Sequence, residues 1–198
     1  LAVQRAKDAS MTNEVIDRAL KKIVGGDTGN DLIEIQYEGY GPGGTAILVV
    51  ALTDNRNRTS NEVKSMFSHQ RGSIGEVGSV NWIFDRKGVL VLEGEQSDLE
   101  TYGLTAIDSG AEDVTLLDGA MEVYAAPQDL EKLRESLSEA GAKVVSAEIS
   151  MMPKTTVELD EKLAIQNVQL LEKLDDLDDV QQVHSNATFP EIVLQEAS

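Results

Sequence analysis

Apolar residues recur along this chain in two rhythms, every three to four positions and every second position, with clear punctuation between them. In "TNEVIDRALKKIV", residues 12–24, Val15, Ile16, Ala19, Leu20 and Ile23 fall at helical spacing, which predicts a helix. Thr12 or Asn13 can open it, Gly25-Gly26 ends it, and Glu14–Arg18 and Asp17–Lys21 are acid-first pairs four apart. Residues 32–52 predict a β-hairpin: "LIEIQYEGY" alternates for part of its length and "TAILVVAL" is a continuous apolar run. Thr59 and Glu62 spell a capping box, which predicts a helix near 60–70 with Val63, Met66 and Phe67 turned inward. "SVNWIF", 79–84, predicts a strand.

Residues 88–149 predict a self-contained unit. "GVLVLE" is a strand, and Ser97 with Glu100 caps a helix running to about Ser109. "EDVTLL" and "MEVYAA" flank Asp118-Gly119, a hairpin turn. Pro127 opens a helix with Leu130, Leu133 and Leu137 on its inner face, Gly141 closes it, and "KVVSAEI" is the last strand. The order β-α-β-β-α-β is that of ferredoxin-like folds. Beyond it, "MMPKTTVELD" is extended, 161–175 is a helix with Ala164, Val168, Leu171 and Leu174 on one stripe, and "DDVQQVHSN" returns as a short strand. Neither 31–88 nor 147–190 has enough apolar residues for a core of its own. They are expected to fold together as one discontinuous α+β domain, with 89–146 inserted, 1–30 as the end of a helical domain and 191–198 as a tail.

Composition narrows the function. There is no cysteine, which excludes disulfides, iron–sulfur clusters and Cys-based zinc sites. No run reaches the ~18–20 apolar residues of a membrane span, and no signal-peptide pattern is present. The sequence opens at Leu1, inside a helical pattern, and reads as a trimmed chain. Net charge is −18, unevenly spread. Residues 1–30 hold five basic and four acidic side chains, and 31–88 hold six and seven. Residues 89–146 hold three and thirteen, and 147–198 three and eleven. A polyanion is therefore expected to meet the front of the chain.

Chemistry-bearing motifs are sparse. Gly39, Gly41 and Gly44 in "YEGYGPGG" spell G-x-G-x-x-G, a phosphate-cradling pattern. In a dinucleotide fold the last glycine opens a helix, whereas Gly44 here precedes the strand-like "TAILVVA". The kinase version needs H-R-D and D-F-G motifs, and neither occurs. Gly39, Gly41, Pro42, Gly43 and Gly44 are thus expected to form a structural turn needing positive φ. His69 and His184 lack ligand spacing, and His69 is expected at the surface or as a cap. "DNRNRT" departs from a calcium loop, with Ser65 where the twelfth-position Glu belongs. "LDDLDDV", 174–180, is expected to be a solvated helix end. No catalytic residue, metal or cofactor is assigned, and the protein is expected not to be an enzyme.

One polar cluster stands out. "TDNRNRT" places Asn55, Arg56, Asn57 and Arg58 before a capped helix, where arginine forks and free N–H groups suit phosphate. Lys64 and Arg71 follow, and Lys21 and Lys22 lie upstream. These eight residues are the candidate nucleic-acid site. The alternative is that Arg56 and Arg58 pair with Asp54, Glu62 or Asp85 to fix packing.

"YEGYGPGG", "LTDNRNRT" at 52–59, "GSV" at 78–80, "FDRKG" at 84–88, "PKTTVELD" at 153–160 and "LDDLDDVQQV" at 174–183 together resemble the YebC family, which includes the mitochondrial translational activator of cytochrome oxidase. The likeness runs over essentially the whole chain in order. It implies an α+β architecture of three domains: a helical one, of which this chain keeps a remnant, and two ferredoxin-like α/β sandwich domains, one inserted in the other. It also implies a basic N-terminal segment ahead of Leu1, and a glycine where this chain has Arg71. Functionally it implies a non-enzymatic gene-expression factor without cofactor. The expected partners are nucleic acid and the ribosome, not a membrane, in a bacterial cytoplasm or, for a eukaryotic source, a mitochondrion. A ribosome- or RNA-directed translation factor is the leading expectation, a DNA-binding transcriptional regulator the alternative, and a small-molecule-sensing α+β domain a third.

Overall fold

The computed structural model describes residues 32–190, so the helix expected at 12–24, the candidates Lys21 and Lys22 and the 191–198 tail lie outside the described residues. Two four-stranded antiparallel sheets organise the rest. β1 (Ile33–Tyr40) and β2 (Ala46–Thr53) pair in full register from Ile33↔Thr53 to Tyr40↔Ala46. β3 (Ser73–Ile74) and β9 (Val180–Ser185) complete a first sheet of order β3-β1-β2-β9. Helices α1 (Arg56–His69) and α4 (Glu161–Asp175) cover one face, and Ile47, Val49, Ala51, Val63, Phe67, Leu170 and Leu174 form the core between. Phe67 is fully buried, and truncating such a ring costs about 3–5 kcal/mol.

The second sheet follows the β-α-β-β-α-β order. It comprises β4 (Phe84–Glu93), α2 (Gln96–Asp108), β5 (Asp113–Leu117), β6 (Ala120–Ala125), α3 (Leu130–Glu139) and β7 (Lys143–Pro153). Its strand order β5-β6-β4-β7 is the ferredoxin arrangement. Leu90, Leu92, Leu99, Val123, Leu130, Leu133 and Leu137 fill its core. β4 and β7 are long, pairing from Phe84↔Pro153 to Glu93↔Lys143. Their far ends reach the bare face of the first sheet, where Ala46, Leu48, Val80 and Phe84 form a small shared core with Met151. A two-stranded parallel patch, β8 (Val157–Glu158) with β10 (Ala187–Thr188), lies beside α4. Among the described residues no helix is long and apolar enough to cross a membrane.

Four local expectations are corrected. Residues 81–83 form a 3-10 turn rather than a strand, and β4 starts only at Phe84. The reason is Glu38, a buried carboxylate on β1 that accepts the N–H groups of Gly78 (2.6 Å), Val80 (2.7 Å) and Asn81 (2.8 Å). Those donors are spent on one side chain and cannot serve a ladder. The Ser97–Glu100 capping box does not form; Glu95 stands at the N-cap with no side-chain cap bond. α3 starts at Leu130, three residues after Pro127, which lies in the preceding turn. On α4 the fully buried face is Ala164, Asn167, Leu170 and Leu174, one position away from the expected stripe at Val168 and Leu171. Asn167 takes its place inside because its amide donates to the Pro42 (2.7 Å) and Leu163 (2.9 Å) carbonyls and accepts from Thr45 Oγ1 (2.6 Å).

That bond set locks the glycine-rich stretch to α4. Pro42–Gly44 is a 3-10 turn, with φ of 81° at Gly43 and 79° at Gly44. Gly39 and Gly41 have no positive φ. They are small because of crowding: a Cβ at Gly39 would lie 2.5 Å from Phe67, and one at Gly41 2.6 Å from Asn167 Oδ1. The expectation of positive φ therefore holds for two of the four glycines.

Candidate nucleic-acid interface

The expected capping box at Thr59 is not what starts α1. Asn55 is the N-cap, its side chain accepting from the Arg58 N–H at 3.2 Å, and the helix begins at Arg56. Thr59, one turn in, is fully buried. Its hydroxyl lies 2.5 Å from Asp179 Oδ2 and 2.8 Å from Thr53 Oγ1. Thr53, also fully buried, accepts the Asn55 N–H at 2.9 Å and stands 3.0 Å from the same Asp179 oxygen. Asp179 thus ties the ends of β2 and α1 to the loop before β9.

Arg58 belongs to this knot. Its guanidinium lies 2.8 Å from Asp179 Oδ2, 2.9 Å from Oδ1 and 3.0 Å from Asp54 Oδ1. The hydrogen bond from Thr59, then the Arg58 bond, hold the Asp179 carboxyl below its usual range, with burial opposing them. The Asp179 bond likewise raises Arg58 above the ordinary guanidinium value. The pairing with Asp54 was one of the alternatives open in the sequence; the pairing with Asp179 was not, because "LDDLDDV" reads locally as solvated. Two carboxylates neutralise Arg58, and a groove lined by Arg58, Glu62, Asp176, Asp178 and Asp179 flanks it.

The other candidates lie elsewhere on the same helix. Arg56 and Asn57 are exposed in its first turn. Asn57, Asn61, Lys64 and Ser68 then follow at helical spacing on the exposed face. Arg71 lies just beyond the end of α1, which spans about 20 Å from Arg56 to His69 by helical rise. Arg56 and Lys64 make no ion pair with a described residue. The structure thus brings Asn55 and Arg58 into one knot and spreads Arg56, Asn57, Lys64 and Arg71 along a stripe. α1 carries three Arg or Lys against one acid, Glu62. α2 carries three acids and no base, and α3 and α4 each carry three acids against two bases. α1 is therefore the one described α-helix of positive sign. His69 is exposed, and its Nδ1 meets the Ser65 carbonyl oxygen at 2.7 Å.

Comparison with known proteins gives the same ancestry over nearly the whole chain. The family model described as "TACO1/YebC second and third domain" matches residues 32–187. A probable transcriptional regulatory protein of Dehalococcoides mccartyi is 52% identical over 194 residues, covering 98% of this chain and 77% of that protein. One from Geobacillus thermodenitrificans is 42% identical over 198 residues, covering 99% and 79%. The crystal structure of the conserved hypothetical protein Aq1575 from Aquifex aeolicus superposes with a TM-score of 0.86 at 39% identity, covering 96% of this chain and 78% of that one. With two antiparallel sheets, the ferredoxin strand order and the match from β1 to β10, the chain belongs to the TACO1/YebC family.

Proposed function

We propose that this protein is a non-enzymatic regulator of gene expression that binds nucleic acid, acting in the cytoplasm as an RNA- and ribosome-directed translation factor. The observation that carries this reading is the exposed stripe Arg56–Asn57–Asn61–Lys64–Ser68, free of carboxylates in a chain of net charge −18. Amide, hydroxyl and cationic donors along a surface suit the phosphates and 2′-hydroxyls of RNA, which is met largely by shape. The acidic second sheet is repelled by the same polyanion, so the charge pattern orients the molecule with α1 forward. A second reading is favoured by the relatives' names, which call them probable transcriptional regulatory proteins. In that reading the same stripe meets DNA.

The test is sucrose-gradient sedimentation of lysates expressing the protein or its Arg56→Glu, Lys64→Glu variant. Arg58 stays untouched because it holds the fold together. The translation reading expects the parent to travel with ribosomes and the variant to stay at the top with an unchanged melting temperature. A parent absent from ribosomes that footprints a promoter at about 150 mM salt, where non-specific binding is weak, makes transcription the function.

A further inference from the structure

A cleft of about 350 Å³ opens where the bare face of the first sheet meets the far ends of β4 and β7. Its floor is the register row Gln36–Val50–Gln182, which crosses three adjacent strands. Arg86 on β4, Ile149, Ser150 and Met151 on β7, Asn81 and Glu34 complete its lining. Arg86 and Glu34 make no ion pair with a described residue.

Trp82 follows Asn81 directly and is the only tryptophan in the chain. Its residue is 67% exposed, yet it is not loose. Its indole N–H donates to the Ser79 carbonyl at 3.0 Å, and its own carbonyl accepts from Lys154 Nζ at 3.1 Å. Tyr40 Oη also donates to the Ser79 carbonyl, at 3.1 Å. The three N–H groups gripped by Glu38 include that of Asn81, so a buried charge on β1 fixes the strap that presents the ring.

We propose that this cleft, together with the exposed Trp82 that follows its lining residue Asn81, is a binding site for unpaired RNA nucleotides. Trp82 stacks one base, Arg86 meets the phosphate, and the adjacent base enters the cleft between the Gln36, Gln182 and Asn81 amides. The proposal rests on the RNA reading above and extends it to a surface away from α1. Four points of the site favour a nucleotide. The volume lies at the small end of ligand sites, the size of one nucleotide. The amides carry both donors and acceptors, as a Watson–Crick edge requires. Glu34 accepts from exocyclic amino groups. A ring held in place before binding loses little freedom on stacking. An apolar peptide is the poorer fit, because the lining is mainly polar and carries both signs of charge.

Because Trp82 is the sole tryptophan, intrinsic fluorescence reports on it alone. The experiment titrates fluorescein-labelled 12-nucleotide oligouridine and oligoadenine into the whole protein, following anisotropy and tryptophan emission together. The expected result is saturable quenching of Trp82 with the same midpoint as the anisotropy. Trp82→Ala weakens binding about 10- to 100-fold, and Trp82→Phe retains most of it. Arg86→Ala weakens it and lowers the salt dependence by about one charge. Melting temperatures show that the variants fold. Binding without quenching, or unaffected by Trp82→Ala, overturns the proposal and leaves the RNA reading intact. The same holds if the oligonucleotides fail to bind a protein that co-sediments with ribosomes. Failure of both overturns the two together.

Discussion

Arg58 and Asp179 are 121 residues apart in sequence and 2.8 Å apart in the fold. The pair sits on a floor of two fully buried hydroxyls, Thr53 and Thr59, whose partner is the same carboxylate. Asp179 is therefore more important to the fold than Arg58, which is half exposed and shares its charge with Asp54. Asp179→Ala should cost about 1–3 kcal/mol in urea unfolding, the penalty for stranding buried hydroxyl donors. Arg58→Ala should cost clearly less, and the double variant should show coupling rather than additivity. Equal and additive losses would mean that the hydroxyls draw nothing from Asp179.

Arg71 is the one described non-glycine residue with positive φ, at 61°. It ends α1: the Gly72 N–H reaches the Phe67 carbonyl at 2.8 Å, the outer bond of a Schellman closure. Gly72 itself is crowded, since a Cβ would lie 2.8 Å from the Tyr40 carbonyl oxygen. Left-handed backbone costs a side-chain-bearing residue about 1–2 kcal/mol. Arg71→Gly should thus stabilise by about 1 kcal/mol, or about 2–4 °C in Tm for a chain of this size. Gly72→Ala should lower Tm. If Arg71 also contacts nucleic acid, Arg71→Gly should weaken binding while raising Tm, which separates the two roles.

What the sequence revealed and what it hid divide along distance. The second sheet was legible because its signals are local: Asp118-Gly119 turns with φ of 72° at Gly119, and Leu130, Leu133 and Leu137 share one face. Thr59 misled because its hydroxyl is claimed by Asp179, 120 residues away, leaving Asn55 to cap the helix. "SVNWIF" misled because Glu38, some forty residues upstream, takes its backbone donors. Asn167 and Asn186 are fully or nearly buried amides that no periodicity marks; Asn186 accepts the Ala46 N–H at 2.7 Å, 140 residues off. These misses are polar groups satisfied across the fold, and such partners leave no trace in spacing; the unformed Ser97–Glu100 box and the late start of α3 after Pro127 are local and have no such partner. The division between the neutralised Arg58 and the exposed Arg56 and Lys64 was not legible, because the carboxylate that takes Arg58 lies 121 residues away.

Stability should fall with pH in two separate steps. Burial alone would raise the Glu38 carboxyl, but three backbone N–H bonds outweigh it and hold the group below its ordinary value of 4.5. Asp179 is held below 3.8 in the same sense by Thr59 and Arg58. For such carboxylates the unfolded chain takes up the proton first. Their contribution is complete above about pH 4.5 and is lost as pH falls through the folded-state values. His184 gives the upper step. Burial pushes its imidazole below 6.5, partly opposed by Glu148, so the unfolded state again binds the proton first. Stability is then full above pH 6.5 and declines below it. Melting temperatures from pH 7.5 to 3.5 should show both limbs. His184→Leu should flatten the upper limb, and Glu38→Gln should reduce the lower one. Because Glu38 grips the strap that carries Trp82, tryptophan emission should shift along the lower limb only, and Glu38→Gln should already show the shifted emission at pH 7. Emission that moves with the upper limb instead would place control of the strap at His184 rather than at Glu38.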